Sequence, residues 1–314
     1  MRMSLAIPTY NNISTLPEAL ASVVALKDRK NVELILSDDA SKDGTREYLV
    51  AWAKNHSDEF YRCTLLLNEE NLGISGNHAR AFAAATSEYG LYIGGDDIVY
   101  NPDFIGELAR SIADSPGLRI AKIDLEALHR PGNAIEKIYE HKKHFFTLSA
   151  RKQFAALALL GNFLYAGPGT VIHLPTFRKV GGFDPRFRTY EDMPLFNHFL
   201  ANGYRMRFLD VRGIYWVRAS SSLSLAGFSG KREMFESENK IRREYVRLHS
   251  DGFTWYERFL FGRLDWSRWR KYPFLAVYPS WVRFRFVPSL LKKISRIRAY
   301  KKVKTLLDPP AELV

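Results

Sequence analysis

Four short apolar runs in the first hundred residues, MSLAI, VELILS, CTLLLN and GLYIGG, constrain this chain more than any other feature. A half-exposed strand would alternate apolar with polar residues, whereas these runs are apolar nearly throughout, which implies burial on both faces. Longer stretches with helical periodicity separate them. Residues 15–27, TLPEALASVVALK, carry Pro17 in a first turn. The segment DDASKDGTREYLVAWAK offers Asp43 or Thr45 as a helix N-cap, and Ser75 to Ala85 form a third helical stretch. This rhythm predicts an α/β fold, a mostly parallel sheet flanked by helices. Ligands of such sheets bind beyond the carboxyl ends of the strands. The polar clusters to watch are therefore PTYNN after the first run, SDDASKDGT after the second and GGDD after the fourth. Two of them hold adjacent carboxylates, Asp38-Asp39 and Asp96-Asp97. Such pairs repel and are costly to desolvate, so a cation or hydrogen-bond donors should lie close to each.

Beyond residue 118 the pattern is less regular. Strands are expected near LRIAKIDLEAL, NAIEKIY and YRMRFLD, and a helix over Met193 to Asn202, with Glu191 and Asp192 at its positive end. The uncharged stretch from Phe154 to Leu174 is long enough to suggest a membrane span. Gly161, Gly167, Pro168 and Gly169 interrupt it, so a short buried helix, a turn and a strand are expected instead.

An apolar content of 46% excludes wholesale disorder. The single cysteine, Cys63, suits a reducing compartment and a buried structural role. The start, MRMSLAIPTY, has too short an apolar run for a signal peptide, which points to a cytoplasmic protein. The net charge of +12 is concentrated at the far end, where residues 251–314 hold 14 Lys and Arg against 5 Asp and Glu and so contribute +9. Aromatics interleave with these cations, as in WYERFLFGRLDWSRWRKYPF. That mixture favours peripheral contact with an anionic membrane, at its inner face, over helices that pack with a solvated basic face. Nucleic acid, which the same mixture could bind by stacking and phosphate contact, is the least favoured partner.

The segments SLAIPTYNN, ELILSDDASKDGT, NEENLGISGNHARAFAAATSEYGLYIGGDD, NPDFI, KVGGFDPRF and YEDMPLFNHFLANGY occur in one order and at spacings that resemble family 2 glycosyltransferases of the GT-A fold. The resemblance covers roughly residues 3 to 225. It implies a Rossmann-like domain over 1–225, with a nucleotide-binding half at 1–115 and an acceptor-side half at 116–225. A basic, aromatic, mostly helical extension would follow at 226–314. The implied activity is inverting transfer of a sugar from a nucleotide diphosphate sugar, a UDP-sugar by family habit. The acceptor would be a hydroxyl of a glycan or lipid-linked oligosaccharide, in the synthesis of a surface polysaccharide, O-antigen or capsule.

The resemblance also assigns roles. Pro8, Tyr10 and the Asp38-Asp39 pair would form the nucleobase pocket, one of the two Asp accepting from the uracil ring. Mg2+ or Mn2+ would rest on Asp96 or Asp97 alone, with phosphate oxygens and water completing the shell, because Gly94 occupies the first acidic position of the family's Asp-x-Asp pattern; Gly94 and Gly95 would let the backbone approach donor sugar or ribose. Asp192 matches the family's general base, with Glu191 the second choice. Asn77 and Arg80 would face the donor, and His78 would lie on the helix surface. In IYWVRASSSLSLAG, Arg218 would meet the diphosphate where relatives have a His, and the serines would form a loop over the donor. A sugar-phosphate nucleotidyltransferase is the alternative on the same fold, but it calls for a glycine-rich, basic phosphate loop where this chain has PTYNN. A basic nucleic-acid-binding protein is the alternative from another class.

Overall fold

The computed structural model describes residues 1–140, 142–160, 164 and 167–218, and the single positions 236, 240, 243, 244 and 247. The basic segment 251–314 expected at a membrane and the serine loop after Arg218 lie outside the described residues.

The four apolar runs become β1 (Met3–Thr9), β2 (Val32–Asp38), β3 (Arg62–Leu67) and β4 (Tyr89–Tyr92). The helices between them are α1 (Leu16–Val24), α2 (Thr45–His56) and α3 (Gly73–Ala84). After β4 come β5 (Ile98–Val99), α4 (Phe104–Ala113), β6 (Ile120–Ile123), β7 (Glu126–His129) and β8 (Ala134–Lys137). They are followed by α5 (Ala150–Leu160), β9 (Thr170–His173), α6 (Leu174–Lys179), α7 (Asp192–Ala201), β10 (Met206–Leu209) and β11 (Ile214–Arg218). Seven strands form one sheet in the order β10-β6-β9-β4-β1-β2-β3, parallel except for β9. Every residue of β1, β2 and β4 is buried, as their lack of alternation requires.

Register places the functional ends. In β1 and β2 Thr9 lies opposite Asp38, and Ala6 lies opposite Tyr92 of β4. The three acidic or polar clusters therefore leave the sheet side by side. At the opposite end the fully buried Glu33 of β2 accepts from Ser4 Oγ at 2.5 Å, Thr86 N at 2.8 Å and Thr86 Oγ1 at 2.7 Å. This carboxylate fastens the turn before β4 and takes no part in the clusters.

A second sheet, β5-β11-β7-β8, is not evident in the sequence. It starts directly after Asp97, and a bidentate ion pair from Arg130 to Glu18 (2.8 and 2.7 Å) ties its hairpin to α1. The stretch from Phe154 to Leu174 contributes to α5 and β9, and no described helix is long and apolar enough to cross a membrane.

Three local expectations are corrected. The N-cap of α2 is neither Asp43 nor Thr45 but Gly44, whose φ of 96° only glycine adopts freely. Asp43 still accepts from Thr45 N at 3.1 Å. Cys63 is half-buried, not buried, and burial pushes its thiol up to about 11, which leaves it unreactive. His78, expected on a helix surface, packs edge-on against Tyr92 and Phe183 and donates from Nδ1 to Ile74 O, 2.7 Å away. Burial drives its pKa down to about 4.

That shift has a sign. The fold holds His78 neutral, so from about pH 6.5 down towards 4 the unfolded chain gains a proton that the folded chain refuses. Stability should be full above pH 6.5 and fall by at most about 3 kcal/mol across this window. Denaturant unfolding at pH 7.5, 6 and 5 checks this. His78→Gln should flatten the dependence, and an unchanged slope in that variant would refute the assignment.

Candidate active site

The first cluster is a polar knot at the ends of β1 and β2. Asp39 N donates to Thr9 O at 2.9 Å, and Ala40 adopts φ +60°, which turns Ser41 N back onto Asp38 Oδ2 at 3.0 Å. Asp39 caps the start of α3: Oδ1 accepts from Leu72 N at 2.8 Å and from Asn68 Nδ2 at 2.9 Å, while Oδ2 accepts from Gly73 N at 3.0 Å. The expected donors near this acidic pair are thus backbone N–H groups together with the Asn68 amide, and both carboxylates are buried. Pro8 is buried within β1, and Tyr10 stands half-exposed at its end. Asn77 is buried and already engaged, since it accepts from Ser37 Oγ at 2.6 Å and donates to Ser37 O at 3.0 Å. It braces the strand ends from below. Arg80 is exposed on α3.

The second cluster follows β4. Asp97 is almost wholly buried, and each of its carboxylate oxygens receives a backbone N–H: Oδ2 from Gly94 at 2.7 Å, Oδ1 from Val217 at 3.0 Å. The second contact spans 120 residues of sequence and fixes β11 to the end of β4. Burial, and then the charge of Asp96, pushes Asp97 well above the usual carboxylate range; burial raises Asp96 as well. Gly94 has a steric reason. A Cβ there would stand 2.6 Å from Asp96 Oδ1 and 3.3 Å from Asp97 Oδ2, so the two carboxylates fold back into the space that a side chain would fill. Gly95 is equally constrained, because its Cβ would meet Thr9 Cγ2 at 2.9 Å. Its carbonyl accepts from Thr15 Oγ1 at 3.1 Å, which pins the PTYNN loop to the diacid.

Burial and mutual repulsion disfavour these adjacent carboxylates as anions, a cost that a divalent cation would relieve, and their oxygens once deprotonated are a hard set suited to Mg2+ or Mn2+. Among the described residues no third His, Cys, Asp or Glu joins them, so of these residues only the two carboxylates would hold such an ion. Arg218, one residue after the N–H that binds Asp97, lies over Trp216 with its guanidinium carbon 4.8 Å from the ring centre. Its Nε is buried without a hydrogen-bond partner among the described residues.

The third cluster is carried in from α7. Asp192 opens the helix, with Oδ1 accepting from Met193 N at 2.7 Å, and Glu191 precedes it. The loop before them docks on the start of α3: Ser75 Oγ donates to Phe187 O at 2.5 Å, and Arg188 Nη2 donates to Asn71 Oδ1 at 2.8 Å. Tyr92, the last residue of β4, donates from its hydroxyl to Glu191 Oε1 at 3.2 Å. The acidic corner of α7 and the diacid therefore belong to one strand end. Gly167 makes room for this junction, since a Cβ there would collide with both the Tyr92 hydroxyl and the Glu191 carboxylate. Burial pushes Glu191 above its ordinary value, and the charge of Lys122 opposes this.

Lys122 is the residue that sequence reasoning missed. It lies on β6, fully buried, where IAKI interrupts an apolar run with one cation, and that interruption is the signal that could have revealed it.

Comparison with known proteins places the family and the fold. The model of the family described as glycosyl transferase family 2 matches residues 4–157. The abequosyltransferase RfbV of Salmonella typhimurium is 34% identical over 98 residues, which are 31% of this chain and 28% of the length of that protein. Among solved structures, S. aureus TarS 1–349 in complex with UDP-GlcNAc aligns with a TM-score of 0.62 at 16% identity, covering 90% of this chain and 79% of that one. The mannosyltransferase PcManGT from Pyrobaculum calidifontis, in complex with GDP-Man and Mn2+, aligns with a TM-score of 0.54 at 18% identity, covering 97% and 82%. At these identities the structural likeness shows the fold, which is the GT-A arrangement.

Proposed function

Because residues 4–157 belong to glycosyl transferase family 2, we propose that the chain transfers a sugar, with inversion, from a nucleotide diphosphate sugar to a hydroxyl of a glycan or lipid-linked acceptor. One observation carries this reading. The Tyr92–Glu191 hydrogen bond, 3.2 Å across 99 residues, sets the Glu191-Asp192 corner at the end of the strand whose continuation holds Asp96 and Asp97. A base and a diphosphate site at one strand end are what a single in-line displacement needs.

Asp192 takes the proton of the attacking hydroxyl as the new bond from that oxygen to the anomeric carbon forms. The bond from the anomeric carbon to the diphosphate breaks, and its electron pair leaves with the diphosphate. Attack opposite the leaving group inverts the centre, and Glu191 stays hydrogen-bonded to Tyr92 beside the base. A divalent Mg2+ or Mn2+ held by Asp96 and Asp97 would neutralise the charge that the diphosphate gains. Tyr10, Pro8 and the Asp38-Asp39 knot receive the nucleobase, for which the complexes of TarS with UDP-GlcNAc and of PcManGT with GDP-Man give uridine and guanosine as the first choices. RfbV, an abequosyltransferase, puts abequose among the donor sugars to try.

Arg218, whose buried Nε has no hydrogen-bond partner among the described residues, supplies cationic charge where the diphosphate departs. Arg218→Met should weaken donor binding about 10- to 100-fold, the worth of a charge-assisted hydrogen bond, without lowering the melting temperature of the free protein. Titration calorimetry with the donor and a melting curve check both parts.

A thermal-shift screen of UDP-, GDP-, dTDP- and CDP-sugars, with and without Mn2+, tests the proposal, since a ligand of the folded state raises its stability. One nucleotide sugar should raise the melting temperature, and more so with metal. No shift across the whole panel would refute a donor site.

A further inference from the structure

Lys122 of β6 pairs in register with Thr170 of β9. Its Nζ donates to Thr170 Oγ1 at 2.6 Å and to Gly167 O at 3.3 Å. It also lies 5.1 Å from the ring centre of Phe196, one turn beyond Asp192 on α7. Gly167 is the residue whose missing side chain makes room for Glu191 and Tyr92. The ammonium is thus one residue removed from the acidic corner and shares its packing.

A fully buried ammonium is costly unless opposite charge lies near, and a hydroxyl with a carbonyl supplies none. Asp192 and Glu191 supply it. Of the groups that face Lys122, these two carboxylates on the α7 side draw it towards the charged form and Lys142, ahead of the turn at 143–147, repels it. Tyr92, hydrogen-bonded to Glu191, and Tyr139 are both buried, and burial first and then the charge of Asp192 or its neighbours raises both phenols.

We propose that Lys122 is a positioning residue whose buried positive charge keeps the Glu191-Asp192 pair ionised within its buried corner. The inference rests on the glycosyltransferase reading above. Burial pulls Lys122 down to about 7 against the attraction of Asp192 and Glu191, so its charge is present on the acid side of neutrality. There a carboxylate base is at risk of protonation, and a nearby cation lowers its pKa by a unit or more.

The test uses the full chain with Mn2+ and the nucleotide sugar that the screen selects, and follows release of the nucleoside diphosphate to water as acceptor between pH 5 and 9. Lys122→Met and Lys122→Gln should shift the acid limb of the pH–rate profile upward by about one pH unit. At pH 6 kcat should fall by up to about tenfold and recover towards pH 8, with the donor KM within about twofold of wild type. A profile that superimposes on wild type, or a loss equal at every pH, overturns the proposal. If neither variant folds, adding Glu191→Gln to Lys122→Met removes one uncompensated buried charge. Recovery of folding then supports the charge coupling, and continued failure overturns it. A wild-type protein that binds a nucleotide sugar but gives no pH shift in the variants refutes Lys122 alone. One that binds none refutes the enzyme reading first.

Discussion

Asp192→Asn is expected to lower sugar transfer about a thousandfold while leaving the binding of the nucleotide sugar within a few-fold of wild type. The size follows from what general base catalysis contributes, about 10² to 10⁴. The amide keeps the shape and can still accept from Met193 N through its oxygen, so the start of α7 should survive. The selectivity follows from position, because Asp192 belongs to the acceptor-side corner, whereas the nucleobase knot and the diacid hang on β1, β2 and β4. Single-turnover kinetics with donor in excess, beside calorimetric donor binding, separates the two. Transfer retained within tenfold would show that another group takes the proton. Glu191 is the first candidate for that, and Glu191→Gln would then carry the larger loss.

The second large effect is expected at Asp97, and the contrast with its neighbour gives it its meaning. Asp97→Asn puts an NH2 against one of two N–H donors, those of Gly94 and Val217, and loses a charge-assisted bond worth about 1.5–3 kcal/mol. The link from β4 to β11 should loosen, the melting temperature should fall, and turnover should drop about a hundredfold or more because Arg218 moves with β11. Asp96→Asn breaks no such link. It should leave the melting temperature unchanged and weaken only the metal-dependent part of donor binding. Melting curves and donor titrations with and without Mn2+ on both variants decide the matter. Equal melting temperatures for the two would show that the Asp97 anchor contributes nothing to the fold.

Much of this was legible from residues alone. The runs MSLAI, VELILS, CTLLLN and GLYIGG are local patterns, and local patterns fix β1 to β4 because burial on two faces leaves no position for a polar alternation. The strand-end rule then located the PTYNN, SDDASKDGT and GGDD clusters before any coordinates. Asn77 shows where that reasoning stops. A polar residue on the helix beside a site could face ligand or brace backbone, and only the Ser37 contacts reveal that it braces. His78 shows the same limit, since one turn of helix divides surface from the aromatic packing around Tyr92.

The sequence by itself determined the parallel sheet, the order of its helices and the acidic pairs at its ends, because each of these depends on neighbours within a few residues along the chain. Tertiary structure alone decided what the acidic groups do. Asp97 became an anchor through an N–H 120 residues away, Gly94 became necessary through the carboxylates that fill its side-chain space, and Lys122 came to bond Gly167, against which Glu191 packs, through a strand pairing with β9. The physical reason is one of range. Strand and helix propensities act over a few residues, whereas the protonation and orientation of a buried charge are set by whichever groups the fold packs against it, whatever their distance in sequence.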